Sequence, residues 1–307
     1  MTQSIWRDYY VDLSAYLTDG AAVYEIRKGA TVLYTGRAVE RPDGSCDVRV
    51  NDVCAAFLSS ALPDVETLGF TADDSLVDFA LYVGGSKVED IGLYRDWSYD
   101  RQWEPYTGGV SSAPVRRVAD TRMPILQSRL KTATVSVDVR GTTSSVSVTG
   151  PGVIAVPATG AEGTVTIGSD VWAVKDTCRR YALYYVNAYG GWDQFVLEAG
   201  AETQDYARDT VEHDYDNNDE LASGTVVYRS ETTRSWTLRT GILTDEEAAQ
   251  MYHLGNSVQA YLYDMEQDEW HPVVMTQASW SPRRYRMGKQ RVELTLGCRL
   301  AQEEVRR

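Results

Sequence analysis

The chain has 307 residues, too many for one compact core, and predicts two or three domains. Hydrophobic residues at 43% and charged residues at 24% exclude disorder, and no run reaches the ~18 apolar residues that a membrane-spanning helix needs. Forty-four acids against thirty Lys and Arg leave a formal charge of -14, which repels phosphate and argues against general nucleic-acid binding and docking on anionic membranes.

Residues 1–60 read as strands followed by a short helix. Two Tyr- and Val-containing runs, 22–27 and 31–39, flank Lys28-Gly29-Ala30 and predict a hairpin. Arg41-Pro42-Asp43-Gly44 is a turn, since Pro fixes φ and Gly permits a positive one. Asn51 or Asp52 is expected to cap a helix through Leu58, which Pro63 stops. A second hairpin is expected from 75–83 and 87–97, broken at Gly84-Gly85. Residues 104–124 dissolve into Pro, Gly, Ser and Arg and read as connector.

Beyond the connector, Ala133, Val135, Val137 and Val139 alternate with Thr134, Ser136 and Asp138, a half-buried strand. Residues 145–149 and 164–167 repeat the pattern, so 125–172 is expected to be a small β-module or insertion sharing a core with a neighbour. The last unit, 173–307, opens with strands at 181–187 and 194–199 around Tyr189-Gly190-Gly191, then a long strand-like stretch at 225–240. Thr244-Asp245-Glu246-Glu247 is a capping box and Gly255 a stop, which predicts a helix over 245–254. Residues 258–264, 270–280 and 292–300 return to strand. The expected domains are therefore 1–124, a β-rich domain with a short helix, then 125–172, then 173–307. The expected fold class is mainly β: tandem β-sandwich or split-barrel domains with one short flanking helix each, and strand exceeding helix by two to one.

Catalytic signals are missing from the sequence. His213, His253 and His271 have no metal-ligand or protease spacing, and no nucleophile elbow, phosphate loop or dinucleotide turn occurs. Asp214, Asp216 and Asn218 open with the spacing of a Ca²⁺ loop, but Asp219 stands at the glycine position and Thr225 at the bidentate one. The expectation is no enzyme, no metal and no cofactor. Cys46, Cys54, Cys178 and Cys298 are scattered without a C-x-x-C pair and read as reduced, structural thiols of a protein made and folded in a cytoplasm. The start MTQSIWRDYYVDL carries no secretory pattern, in keeping with that compartment.

Twenty Tyr and eight Trp against four Phe favour surfaces that are apolar at one end and wet at the other, such as subunit interfaces or sugar-binding faces. Tyr181, Tyr184, Tyr185, Tyr189 and Trp192 are the candidates for an aromatic surface. The basic run Arg283, Arg284, Tyr285, Arg286, Lys289 and Arg291 stands out in an acidic chain and is assigned to an intersubunit salt-bridge surface.

The passages RSWTLRTGILTDEEAAQMYHLGNSVQAYLYD, EWHPVVMTQASW and RVELTLGCRLAQEEVRR resemble the tube-type domain of phage tail and baseplate proteins, especially distal tail proteins. The run ALYYVNAYGGWDQF and the AQEEVRR tail are also similar to virion proteins of Bacteroidota phages and prophages. The resemblance is one of pattern, covers about 40% of the chain, and implies a β-sandwich or split barrel with one flanking helix and a closing strand pair. It further implies a structural virion subunit, made in a bacterial cytoplasm and built into a ring with copies of itself and other tail or connector proteins, with DNA as passing cargo. An acidic lumen suits such a conduit. A carbohydrate-binding or adhesin module is the alternative reading, and a glycan hydrolase a weaker one.

Overall fold

The computed structural model describes residues 2–4, 10–58, 62–73, 76–94, 109–110, 118–129, 132–187, 190–212, 225–243, 254–255, 257, 259–276, 292–301 and 304–306. Among the described residues the protein is mainly β, 65% strand against 4% helix, in several sheets, mostly antiparallel, of which none closes into a barrel. The strand-to-helix ratio thus far exceeds two to one. The chain divides into two compact units: Met1–Lys175 with Val186–Asp193, and Asp176–Tyr185 with Gln194–Arg307.

The first unit opens with a five-stranded sheet in the order Thr2–Ser4, Ser86–Tyr94, Leu76–Val83, Ala21–Lys28, Thr31–Val39. Both expected hairpins are present. The second turns at Gly84-Gly85, whose φ of 58° and 82° is the left-handed pair that a two-residue hairpin turn requires. Alternation puts Ala22, Tyr24 and Ile26, then Val77, Phe79 and Leu81, then Ile91 and Leu93 on one face. That face buries Val11 and Val48 of the small sheet Tyr10–Asp12 with Asp47–Arg49, Cys54 of the helix Asn51–Ala55, and Leu13, Cys46, Val50 and Leu58 from the segments flanking them. The helix departs from the expected capping: Val50 is the N-cap without a side-chain bond, and Asn51 lies inside the helix and is buried. Val50 and Cys54 must both face the core, so the helix begins where burial puts it and not where a polar side chain would cap it.

Two further sheets complete the first unit. One runs Gly69–Ala72, Gly152–Val156, Ile125–Arg129, Gly109–Val110. The other runs Val118–Asp120, Asp170–Lys175, Gly163–Ile167, Ala133–Val139, Thr142–Val148. The boundary expected at residue 124 is therefore crossed by backbone pairing, since Gly152 to Ala155 pair with Ala72 to Gly69. The region 104–124 is not all connector either: Gly109–Val110 and Val118–Asp120 are strands, the latter pairing in parallel with Asp170–Lys175. Ile125–Arg129 and Gly152–Val156 are buried at every position, so both of their faces are covered.

The second unit holds one eight-stranded sheet, in the order Trp192–Val196, Tyr181–Val186, Ala260–Asp264, Glu269–Met275, Val292–Leu300, Thr225–Leu243, Ala199–Glu212, with Glu304–Arg306 also on Thr225–Leu243. One face carries Tyr181, Leu183, Tyr185, Trp236, Leu238, Leu262, Val273, Leu296 and Cys298, and buries Leu254 with them. Leu254 and Gly255 are helical; the rest of the expected helix, 245–253, lies outside the described residues. All four cysteines are free thiols, Cys46, Cys54 and Cys298 buried and Cys178 exposed. Burial pushes the Cys54 and Cys298 thiols up to about 12.

Candidate functional site

The expected aromatic surface is not a surface. Tyr184 and Tyr185 are 0% exposed, Trp192 2% and Tyr181 4%, while Tyr189 lies outside the described residues. The cause is the position of these strands inside the sheets. Tyr181 and Tyr185 alternate with Leu183 on the core face. Tyr184, pointing the other way, packs edge-on to Tyr263 at 6.3 Å and tilted against Trp270 at 4.6 Å. Trp270 in turn stacks on Tyr263 at 4.6 Å and 29°. Its ring is engaged by other rings, so the cluster is packing and offers no open stacking face. The basic run Arg283, Arg284, Tyr285, Arg286, Lys289 and Arg291 lies outside the described residues, as does the acidic run 213–220 with His213, and so does His253.

Polar chemistry among the described residues gathers in three places. On the fully buried strand Ile125–Arg129, Arg129 Nη2 donates to Gln127 Oε1 at 2.9 Å and to the Ile167 carbonyl at 3.4 Å. Gln127 Nε2 donates onward to Asp170. Burial lowers the Arg129 pKa, and the nearby Asp170 charge opposes that shift. At 180–181, Arg180 Nε and Nη2 donate to Asp264 Oδ2 at 2.9 and 2.6 Å, while the Glu266 amide donates to Asp264 Oδ1 at 3.0 Å. Burial pushes the Asp264 carboxyl up, but these donors outweigh it and leave the group below its ordinary value.

The third place is the root of a long ribbon formed by the edge strand of the eight-stranded sheet and its inner neighbour. Ala199–Glu212 pairs with Thr225–Leu243 across its whole length, with one register shift at Asp209/Thr210. Residues 198–207 are exposed throughout, Tyr206 at 59%. On the core-side face of the root, Glu202 sits opposite Trp236. Arg234 Nε bonds Glu202 Oε1 at 2.9 Å, Gln204 Nε2 bonds the same oxygen at 3.0 Å, and Tyr206 Oη donates to Gln204 Oε1 at 2.8 Å. The hydrogen bonds from Gln204 and Arg234 hold the Glu202 carboxyl below its ordinary value. The Arg234 guanidinium lies 5.4 Å from the Trp236 ring, and His271 stacks on that ring from the next part of the sheet at 5.2 Å and 28°. His271 Nε2 is 3.7 Å from Glu269. Burial and then the Arg234 charge lower the His271 pKa, so this imidazole is neutral at pH 7.

These clusters fix strands in place and do not converge on a reacting centre. No group of three or more His, Cys, Asp or Glu side chains is placed to hold a metal ion among the described residues. What the arrangement leaves available is backbone: Ala199–Glu212, fourteen residues long, has no strand on its outer side among the described residues. Sequence reading missed this strand because its side chains show no apolar alternation. The signal that could have found it is the pairing partner, 225–240, which needs a neighbour as long as itself. Comparison with known proteins finds no matching family model, no similar curated protein and no similar solved structure.

Proposed function

We propose that the chain is a structural subunit of a phage tail or of its baseplate or connector region, which assembles into a ring that forms part of the DNA conduit and attachment platform. The observation that supports this reading most is the ribbon Ala199–Glu212 with Thr225–Leu243. At about 3.3 Å per residue its shorter strand spans roughly 46 Å. Thr225–Leu243 is paired on its other side with Val292–Leu300 and Glu304–Arg306, whereas Ala199–Glu212, exposed over 199–207, has no strand on its outer side among the described residues and leaves a row of backbone groups for a partner. Such an element is best explained by a neighbour that covers it in the working state. A charge of -14 adds the second support, since a ring of such subunits repels the DNA it conducts.

The subunit needs no chemistry of its own in this role. It contributes edges for neighbours, a stiff eight-stranded sheet as wall, and surface charge that keeps a polyanion from sticking. Negative-stain microscopy of the purified chain, alone and mixed with isolated tail particles, tests the reading. Rings or decorated tails are expected. A chain that stays single and leaves tails undecorated overturns it. Fluorescence anisotropy with duplex DNA at ~0.15 M salt tests the conduit part, where submicromolar binding would contradict it.

A further inference from the structure

We infer that copies of this chain join by strand addition, the free edge Thr31–Val39 of one copy pairing with the free edge Ala199–Glu212 of the next. The inference rests on the self-assembly part of the proposed function and names the surfaces involved.

Most strands that end a sheet here are short. Thr2–Ser4, Gly69–Ala72, Gly109–Val110, Val118–Asp120 and Trp192–Val196 run five residues or fewer. Short edges are one of the usual protections against unwanted pairing. Three ends are longer. Thr142–Val148 lies against Gly69–Ala72 and Gly152–Val156, so its own unit partly covers it. Thr31–Val39, nine residues, and Ala199–Glu212, fourteen, have no strand on their outer sides among the described residues.

Thr31–Val39 is not blunted by Pro or by a row of charges. Thr31–Val39 reads TVLYTGRAV, with high β-propensity, no Pro, no Lys and one charge. Its Val32, Tyr34 and Val39 are 46%, 41% and 65% exposed, and Val23 on the adjacent strand is 59% exposed. These four are a large share of the exposed apolar side chains described for the chain, gathered on one hairpin.

Charge decides between the possible occupants. Ala199–Glu212 carries the acids Asp205, Asp209 and Glu212, besides Glu202, which is ion-paired with Arg234, against Arg208 alone. Pairing it with its own counterpart would set acids beside acids. The hairpin 21–39 has one acid, Glu25, which is ion-paired with Arg27; its exposed Arg37 makes no ion pair among the described residues. In a chain of charge -14 this hairpin is a local cationic exception, and the acidic strand is its complement. Joining two different surfaces of one chain is a head-to-tail contact, which closes into a ring or runs on as a filament.

Sedimentation velocity across a concentration series tests this. Arg37→Glu and Asp205→Arg should each weaken association about two- to fivefold at low salt, and the double variant should regain most of the loss. Both side chains are exposed, so folding should be untouched. Val32→Glu with Val39→Glu should weaken association by about tenfold or more, because two carboxylates then flank the edge and face the acidic strand. Hydrogen exchange should slow in 31–39 and 199–212 together as concentration rises. If rings form and these variants leave them unchanged, the strand pairing is overturned while the subunit reading stands. If the wild-type chain never self-associates, the pairing is overturned too, and decoration of tails alone decides the parent reading.

Discussion

The strands Ile125–Arg129 and Gly152–Val156 are covered at every position, whereas residues 198–207 of the ribbon are exposed at every position. Both are antiparallel pairs with full backbone bonding, yet they are held by different forces. The buried pair is fixed by packing on two faces, with Leu126, Val153, Ile154 and Val156 at 2% exposure or less. The outer strand of the ribbon is fixed by its ladder to Thr225–Leu243 and by cross-strand contacts such as Glu202 with Arg234, with core packing confined to the inner strand at Trp236, Leu238 and Leu243. The difference teaches where each region is vulnerable: the first to changes of volume, the second to changes of partner.

Volume changes should give the largest effects. Trp236→Ala, at the ribbon's root, should cost about 3–5 kcal/mol, because it removes the ring on which His271 stacks and against which Arg234 lies. Ile154→Ala should cost about 2–5 kcal/mol in the buried pair. Chemical denaturation of each variant checks both, and near-neutral results would remove the distinction drawn here. Gly152→Ala should also be severe, since a Cβ there would stand 2.2 Å from the Thr71 carbonyl oxygen on the neighbouring strand, and backbone cannot step aside.

Acid should separate the two units more gently. All three histidines fall in the second unit. The native pKa of His271 is depressed, so the unfolded chain binds the proton more readily. Stability from this group is complete above the unfolded value of about 6.5 and is lost as pH falls through the lower native value. Melting followed between pH 7 and about pH 5 should therefore soften the second unit first, and His271→Phe should flatten that slope. Equal softening of both units would break the comparison.

Cross-strand contacts in the ribbon should be the smallest contributors. A double-mutant cycle on Glu202 and Arg234 should return a coupling of about 0.3–1 kcal/mol, as both side chains are about one-quarter exposed. Tyr206→Ala should fall within about 0.5 kcal/mol of wild type in the isolated chain.

The same contrast explains what could be read from sequence. The hairpins of the first sheet, the strand Ala133–Val139 and the strand Val292–Leu300 were legible because each buries one face and wets the other, which writes a period of two. Ile125–Arg129 and Gly152–Val156 write no such period, being covered on both sides. Residues 199–207 write none because they are covered on neither. The faces of Tyr181, Tyr184, Tyr185 and Trp192 were not legible for a related reason: composition gives the count of Tyr and Trp but not the face each occupies, and these four are buried. The helix start at Asn51 was misplaced because Val50 and Cys54 pack inward, a tertiary demand that capping preference cannot anticipate.

The distribution of thiols supplies two independent clocks. Cys54 is sealed in the core of the first unit and Cys298 in that of the second, while Cys178 is open to reagent. An alkylating probe should therefore consume Cys178 at once. It should then reach Cys54 and Cys298 only when their own unit opens, because a thiol held near pKa 12 offers almost no thiolate while buried. The two slow rates, resolved by peptide mass, would time the opening of each unit separately in a single sample without any substitution.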